Sequence, residues 1–419
     1  MEKKYWFYID NYVHLFLNND SALFYNTYSG NCLEYEGNAI VMKLVKRILA
    51  PRNCRVILLK EAEIDQPAVR EFIDKIRAYY MGDLIDSSYS KGKPIEMPPL
   101  VKNQLDVTFL KKDSARSVGD EIMSYLTEIS LYLNETCAQG CAMCKSAYRQ
   151  FPCCFSPGRE NNLLKPGCIK NLFSEIEHSS LARLNILGGN ILLYPDFNGL
   201  MPIVNRLAVE KNYYLHYINV LQGKSFLKNI AGKDSRLTII VNAPIEEEKL
   251  EQALTIAYES GVRNQAMFII LGEREFETAE LIIEKYGIEN YLYIPFYNGC
   301  NLDFFKKNLY IAREDFEVEP VAAKEIYERS YVNSLNFGRM VVFPDGRVYA
   351  NINDPSLGLL GKDSIYSLLC KELERGKSWR KVRKKVFPCK KCNFACLCPP
   401  ISNYNSAIGR YNLCNMWEA

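Results

Sequence analysis

Six short apolar segments alternate with longer helical patterns between residues 128 and 295. The expected strands are Glu128–Asn134, Leu181–Leu187, Tyr213–Leu221, Arg236–Asn242, Asn264–Leu271 and Asn290–Pro295. The expected helices lie near Cys168–His178, Phe197–Lys211, Ser225–Ile230, Glu246–Ser260 and Phe276–Tyr286. Such alternation favours parallel strands with right-handed crossovers. Because eight units complete an α/β barrel, six predict an α/β fold with a partial (β/α)6 barrel.

The flanking regions have different patterns, which predicts further domains. Residues 1–100 carry short aromatic strands, then helices at Ala39–Leu49 and Gln66–Tyr80, and end in a polar, proline-rich linker. The barrel is expected over 120–300 and a bridging region over 301–332. In 333–419, the Pro344-Asp345-Gly346 sequence lies between two strand-like runs and predicts a hairpin.

The composition excludes several classes of protein. The 419 residues carry 52 Lys plus Arg and 49 Asp plus Glu, so neither a disordered chain nor a strongly basic nucleic-acid binder is indicated. No secretory signal and no apolar stretch of about 18 residues is present, so we expect a cytoplasmic protein with no membrane partner. Fifteen cysteines in a reducing compartment indicate metal or redox chemistry. Only three histidines argue against His-based zinc sites.

Eleven of these cysteines fall in two windows. In the first, Cys137, Cys141 and Cys144 have C-x3-C-x2-C spacing directly after the first expected barrel strand. Thiolates suit iron–sulfur clusters, and three thiolates on a cubane leave one iron open to a small molecule. The carboxyl end of a barrel strand is also where barrels place active sites. A zinc knuckle or buried structural cysteines are the alternatives, and packing is the default interpretation for the neighbouring Cys153 and Cys154.

The loop Cys137-Ala138-Gln139-Gly140-Cys141-Ala142-Met143-Cys144 resembles the signature of radical S-adenosylmethionine (SAM) enzymes, with Met143 where the family often has an aromatic residue. The resemblance implies a catalytic [4Fe-4S] cluster on Cys137, Cys141 and Cys144. In that family, the open iron chelates the methionine moiety of SAM. Cleavage of SAM then gives a 5′-deoxyadenosyl radical that abstracts a substrate hydrogen.

Further positions match the family's SAM-binding residues. Gly188-Gly189-Asn190 stands where the family has Gly-Gly-Glu, which binds the SAM amino group, although Asn190 carries no charge. Asn242, and Glu275 with the nearby Gly272, stand where the family contacts ribose and adenine. Ordinary turn residues are the alternative interpretation at each of these positions.

The second window contains Cys389, Cys392, Cys396, Cys398 and Cys414 and can be aligned as C-x2-C-x5-C followed by a distant cysteine. This pattern resembles the SPASM domain, the cluster-bearing C-terminal extension of peptide-modifying radical SAM enzymes, or its smaller twitch-like form. The family's first auxiliary cluster is expected to be absent, because Asn351 and Ser402 stand at two of its cysteine positions. The resemblance implies one auxiliary [4Fe-4S] cluster, for electron relay or structure, and leaves Cys396 spare. A zinc site on the same thiolates is the alternative. Its ligands would be Cys389, Cys392, Cys398 and Cys414.

The order of elements in residues 1–100 resembles the winged-helix leader-recognition domains of ribosomal peptide maturases. Such domains bind a leader peptide along a strand edge by β-augmentation, which implies a ribosomal precursor peptide as partner. Tethering the leader raises the effective concentration of the core peptide at the cluster. A structural cap is the alternative.

These features together predict a radical SAM peptide maturase that forms a crosslink or an epimer and takes electrons from a donor such as a flavodoxin or a ferredoxin. One alternative is a catalytically silent relative that holds a peptide for another maturase, because Asn190 replaces the usual acid. A second alternative is an RNA-modifying enzyme, which rests only on the basic stretch 371–391. A solvated basic face is the commoner interpretation of that stretch, so nucleic acid is not the expected partner.

Overall fold

A computed structural model describes residues 3–18, 21–97, 121–155, 162–232 and 234–416. The end of the expected linker, 98–100, and residues 101–120 lie outside these ranges. The helices of one turn or more are Ala39–Leu49, Glu61–Ile64, Pro67–Ala78, Ala142–Lys145, Pro166–Glu175, Phe197–Asn205, Tyr217–Val220, Lys224–Ile230, Glu247–Glu259, Glu273–Tyr286, Leu302–Asn308, Asp315–Val318, Ala323–Tyr331, Ile365–Arg375 and Asn403–Ile408. None of the helices in the described ranges is long and apolar enough to cross a membrane.

The N-terminal region contains two antiparallel three-stranded sheets. Its strands are β1 (Lys4–Ile9), β2 (Val13–Asn18), β3 (Ser21–Asn26), β4 (Cys32–Glu36), β5 (Val56–Lys60) and β6 (Gly82–Asp86), in the orders β5-β1-β6 and β2-β3-β4. The first two strands, β1 and β2, therefore follow each other in the chain but enter different sheets. Helices Ala39–Leu49 and Pro67–Ala78 pack apolar faces against these strands. The winged-helix interpretation of this arrangement stays a prediction.

A nine-stranded mixed sheet forms the centre of the protein, which confirms the α/β class. Its strands are β7 (Glu128–Tyr132), β8 (Arg183–Leu187), β9 (Glu210–His216), β10 (Ser235–Asn242), β11 (Arg263–Ile270), β12 (Tyr291–Pro295), β13 (Arg339–Val342), β14 (Arg347–Tyr349) and β15 (Gly358–Leu359). The order is β12-β11-β10-β9-β8-β7-β13-β14-β15, and β7 to β12 are parallel. The six expected strands thus lie side by side in sequence order. Their curvature into a partial barrel stays a prediction.

One expected strand is wrong at its carboxyl end. The run Tyr213–Leu221 is aromatic and β-branched, which favours a strand, but β9 stops at His216 and Tyr217–Val220 is a helical turn. The imidazole Nδ1 of His216 accepts the N–H of Ile218 at 3.3 Å and so caps this turn. A side-chain cap therefore overrides the strand propensity of this segment.

The expected hairpin forms and extends the central sheet. Strands β13 and β14 pair antiparallel around the Pro344-Asp345-Gly346 turn, where Gly346 has a φ of 84°. Strand β13 also pairs in parallel with β7, so that Arg339 faces Glu128. The strand that precedes the first cysteine loop is therefore flanked on both sides, by β8 and by β13.

Candidate functional site

The first cysteine loop lies at the carboxyl edge of the parallel strands. Cys137, Cys141 and Cys144 follow β7 directly, and the helical turn Ala142–Lys145 carries the third thiol. All three side chains are partly exposed. Cys141 and Cys144 pack against an apolar cluster that includes the ends of β7, β8, β10 and β11. The loop therefore presents three neighbouring thiols at the edge where parallel sheets bind ligands.

The two glycines after β8 hold this loop in place. Gly188 and Gly189 have φ values of 103° and 49°. A Cβ at Gly188 would lie 2.7 Å from the Leu133 nitrogen, and a Cβ at Gly189 would lie 2.3 Å from the Thr136 carbonyl oxygen. Both glycines therefore permit close approach of the segment that leads into the cysteine loop. Their contact with SAM stays a prediction.

Asn190 lies next to the same segment and is only 5% exposed. Its backbone N–H donates to the Thr136 carbonyl at 2.6 Å, and its own carbonyl accepts from the Asn134 side chain at 2.9 Å. Its amide oxygen accepts the N–H of Leu192 at 3.1 Å, which caps the helical turn Ile191–Leu193. The oxygen expected to accept from the SAM amino group therefore already accepts one hydrogen bond.

Asn242 lies at the end of β10 and is brought to the cysteine loop. Its Oδ1 is 3.7 Å from the Cys141 Sγ and 2.8 Å from the His216 Nε2. Since His216 Nδ1 accepts the Ile218 N–H, the imidazole proton lies on Nε2 and is donated to Asn242. Burial lowers the pKa of His216, so the ring is neutral near pH 7. Sequence analysis missed His216 as a site residue, although a polar residue at the end of a parallel strand is the signal that could have identified it.

Glu275 lies in the first turn of helix Glu273–Tyr286, which follows β11. It is half-buried, and it shares the carboxyl side of the sheet with the cysteine loop. Gly272 precedes this helix with an extended φ of −177°, which any residue can adopt. A cofactor-binding role for Glu275 therefore stays a prediction.

Burial keeps two thiols of the first loop, Cys137 and Cys141, protonated in the metal-free protein. Burial raises the pKa of Cys141 to about 12 and also raises the pKa of Cys137. The neighbouring thiols add to this effect, because two thiolates at close range repel each other. Thiolate ligation of iron must therefore release protons, so cluster binding is favoured by alkaline pH.

The second cysteine window gathers four thiols and leaves one outside. The four line one small cavity together with Arg383, whose Nη1 lies 3.9 Å from the Cys389 Sγ. Burial raises the pKa of Cys398 to about 12, and the Arg383 cation opposes this shift. Cys396 instead accepts a hydrogen bond from the Ser330 hydroxyl at 3.2 Å. The four cavity-lining thiols are those of the expected auxiliary site, namely Cys389, Cys392, Cys398 and Cys414.

The two sets of thiols have the ligand chemistry that iron–sulfur clusters need. No three His, Cys, Asp or Glu side chains in the described ranges are arranged to hold one metal ion. Three thiols in one loop and four thiols around one cavity match the ligand numbers of an open and a closed cubane.

A cavity of about 240 Å³ lies between the central sheet, the segment 150–152 and the C-terminal region. Tyr132 and Phe151 line one side, and Asn351, Ser402 and Tyr404 line the other. Asn351 donates to the Asn403 side chain at 2.7 Å, so this wall presents amide and hydroxyl groups. Asn351 and Ser402, which stand where the SPASM domain has cysteines, thus form part of a polar cavity wall in this protein.

Comparison with known proteins supports the fold. No protein-family model matches the chain, and no curated protein matches it. The chain is similar to the crystal structure of Streptococcus suis SuiB bound to precursor peptide SuiA, with 12% identity and a TM-score of 0.50, over 98% of this chain and 100% of that chain. A weaker similarity, to native anSMEcpe with bound AdoMet, has 13% identity and a TM-score of 0.45 over 68% of this chain and 95% of that chain. The chain therefore shares the fold of SuiB over almost its whole length, which confirms the predicted resemblance at the level of the fold.

Proposed function

We propose that this chain is a radical SAM enzyme that modifies a ribosomally made peptide. One observation carries the proposal: the three thiols of Cys137, Cys141 and Cys144 lie together at the carboxyl edge of a parallel sheet. Gly188, Gly189 and Asn242 converge on the same loop. This combination of ligand number, spacing and position supports an open [4Fe-4S] cluster.

The residues around the loop have distinct roles in this proposal. Cys137, Cys141 and Cys144 would hold a [4Fe-4S] cluster that, with SAM bound, would supply the radical chemistry for hydrogen abstraction from the peptide and so for a crosslink or an epimer. Gly188 and Gly189 hold the cysteine loop against the end of β8. Asn242 and Glu275 are proposed to contact the ribose and adenine of SAM, and Asn190 its amino group.

The peptide is proposed to bind at two places. Within the described ranges, β2, β4, β5 and β6 each pair on one side only, which leaves strand edges for β-augmentation by a leader. SuiB, with the same fold, was crystallised with a precursor peptide. The cavity beside Tyr132 offers amide and hydroxyl groups to the core of the peptide. The C-terminal cluster is proposed to relay electrons from a flavodoxin or ferredoxin.

A second candidate function is a catalytically silent peptide holder, which Asn190 favours. The residue carries no charge to attract the SAM ammonium, and its amide oxygen accepts from Leu192. Weak or absent SAM binding would follow from this loss of charge pairing. In that case, the fold and the C-terminal cluster would serve to present a peptide to another enzyme.

Anaerobic reconstitution with iron and sulfide, followed by reduction with SAM, separates the two functions. About eight irons per chain with release of 5′-deoxyadenosine supports the radical enzyme, whereas about four irons without cleavage supports the peptide holder. Replacing the three first-loop cysteines with alanine should abolish cleavage and leave the C-terminal iron in place. Retained cleavage would refute the assignment. The matched control replaces three other partly exposed cysteines, Cys54, Cys168 and Cys370.

A further inference from the structure

The segment that follows the cysteine loop folds back onto it. The guanidinium Nη1 of Arg149 donates to the carbonyls of Met143, Cys144 and Ser146 at 2.9–3.1 Å. The same guanidinium lies over the Phe155 ring, 4.4 Å from its centre. Arg149 therefore ties the helical turn with the third thiol to the end of this segment.

Phe155 fixes the end of this segment against the carboxyl ends of β7 and β8. Its carbonyl accepts the N–H of Gly189 at 3.2 Å, and its ring lies 4.7 Å from the ring of Tyr132. The residue before it, Cys154, is consequently held at the point where the two strand ends meet the cysteine loop. It is 5% exposed, and its neighbour Cys153 is 3% exposed.

Cys154 shares a packing cluster with the first loop. Cys153 and Cys154 belong to the apolar cluster against which Cys141 and Cys144 pack. Cys154 is also close enough to Cys137 and Cys141 to raise the pKa of both thiols by charge repulsion. Three thiols on a cubane leave one iron without a protein ligand. The thiol of Cys154 lies near this set of three as a fourth.

We propose that Cys154 is the fourth protein ligand of the cluster on Cys137, Cys141 and Cys144 when SAM is not bound. This inference rests on the proposed function, because it requires that cluster. Ligation forms an Fe–Sγ bond as the S–H bond breaks and its proton passes to water, and no electron is transferred. When SAM binds, the Fe–Sγ bond breaks and the thiolate takes up a proton again.

Ligation by Cys154 lowers the affinity of the cluster for SAM. SAM must displace a thiolate in this protein, while Asn190 offers no charge to the SAM ammonium. Removing the Cys154 thiol therefore removes a competitor of SAM without changing the three loop ligands. Cys153 is the matched control, because it is adjacent, equally buried and in contact with the same apolar cluster.

The test is the stability of the open iron towards oxidation. The reconstituted full chain is treated with ferricyanide without SAM, and the cuboidal [3Fe-4S] product is quantified by EPR. A cubane without a fourth protein ligand releases its open iron on oxidation. Wild type and Cys153→Ser should therefore retain this iron. In Cys154→Ser and Cys154→Ala, the fraction of chains that lose it should be roughly five-fold higher. SAM should bind to both Cys154 variants several-fold more tightly than to wild type.

Three outcomes would overturn the inference. The inference is wrong if wild type and Cys154→Ser lose the open iron equally, and also if both retain it equally. It is also wrong if the wild-type cluster loses one iron, whatever the variants do, so the test does not depend on how well a variant folds. If replacing the three loop cysteines leaves the iron content unchanged, no cluster exists there, and both this inference and the proposed function fail.

Discussion

Replacing Gly189 with alanine tests the claim that this glycine holds the cysteine loop in place. The new Cβ would lie 2.3 Å from the Thr136 carbonyl oxygen and 2.5 Å from the Asn134 Oδ1. The backbone of the loop must therefore move, and the 2.6 Å hydrogen bond from the Asn190 N–H to Thr136 is strained or lost. The left-handed φ costs alanine about 1–2 kcal/mol, and the lost bond and displaced backbone add about 2 kcal/mol.

The control is Gly287→Ala, at the end of helix Glu273–Tyr286. Gly287 has a φ of 59°, close to the 49° of Gly189, but its Cβ would meet no atom within 4 Å. The Gly287→Ala substitution should therefore lower the free energy of unfolding by only about 1–2 kcal/mol. Urea unfolding of the metal-free proteins, followed by circular dichroism, compares the two variants, and iron content after reconstitution should fall only for Gly189→Ala. Equal destabilisation, or full iron content in Gly189→Ala, would refute the reasoning.

Three further predictions concern other parts of the molecule. Burial lowers the pKa of His14 to about 4, so below pH 6.5 the unfolded chain binds a proton that the folded protein does not bind. The free energy of unfolding should therefore fall by about 2 kcal/mol between pH 7 and pH 4.5. In urea titrations, His14→Phe should lose this part of the pH dependence, and an unchanged profile would contradict the prediction. Cys398→Ser should lose the C-terminal iron, whereas Cys396→Ser should keep it, as measured by iron per chain; the reverse order would show that the ligand set is wrong. Asn242→Ala leaves the buried His216 Nε2–H without its acceptor and should cost about 1–3 kcal/mol of unfolding free energy, whereas Asn242→Asp, which keeps an acceptor, should cost less.

The features that local pattern determines could be predicted from the sequence. The period of apolar residues identified β7 to β12 and most of the intervening helices, and the Pro344-Asp345-Gly346 turn identified the hairpin. The resemblance of the second cysteine window to the SPASM domain implied four thiols that do line one cavity, without Cys396, and their role as ligands stays a prediction. These signals succeed because each depends on residues that are close in the chain.

The features that depend on distant contacts were missed. Strand β6 contains a glycine and two aspartates, which disfavour strands, yet it pairs with β1 along its whole length. The pairing of β13 with β7, and the approach of Gly189 to Thr136, join segments separated by many residues. His216 was missed because its role arises from Asn242, which is the last residue of another strand. No window of the sequence contains both partners of these contacts.

The pairing of β7 with β13 also determines when the site can be completed during synthesis. Glu128 and Arg339 are paired neighbours but stand 211 residues apart in the chain. At about 5–20 residues per second, the ribosome needs about 10–40 s to make the second strand after the first. Until then, the strand before the cysteine loop has an unpaired edge. Iron and sulfide delivered to the nascent chain would meet an unfinished loop, so we expect cluster insertion to act on the released, full-length protein.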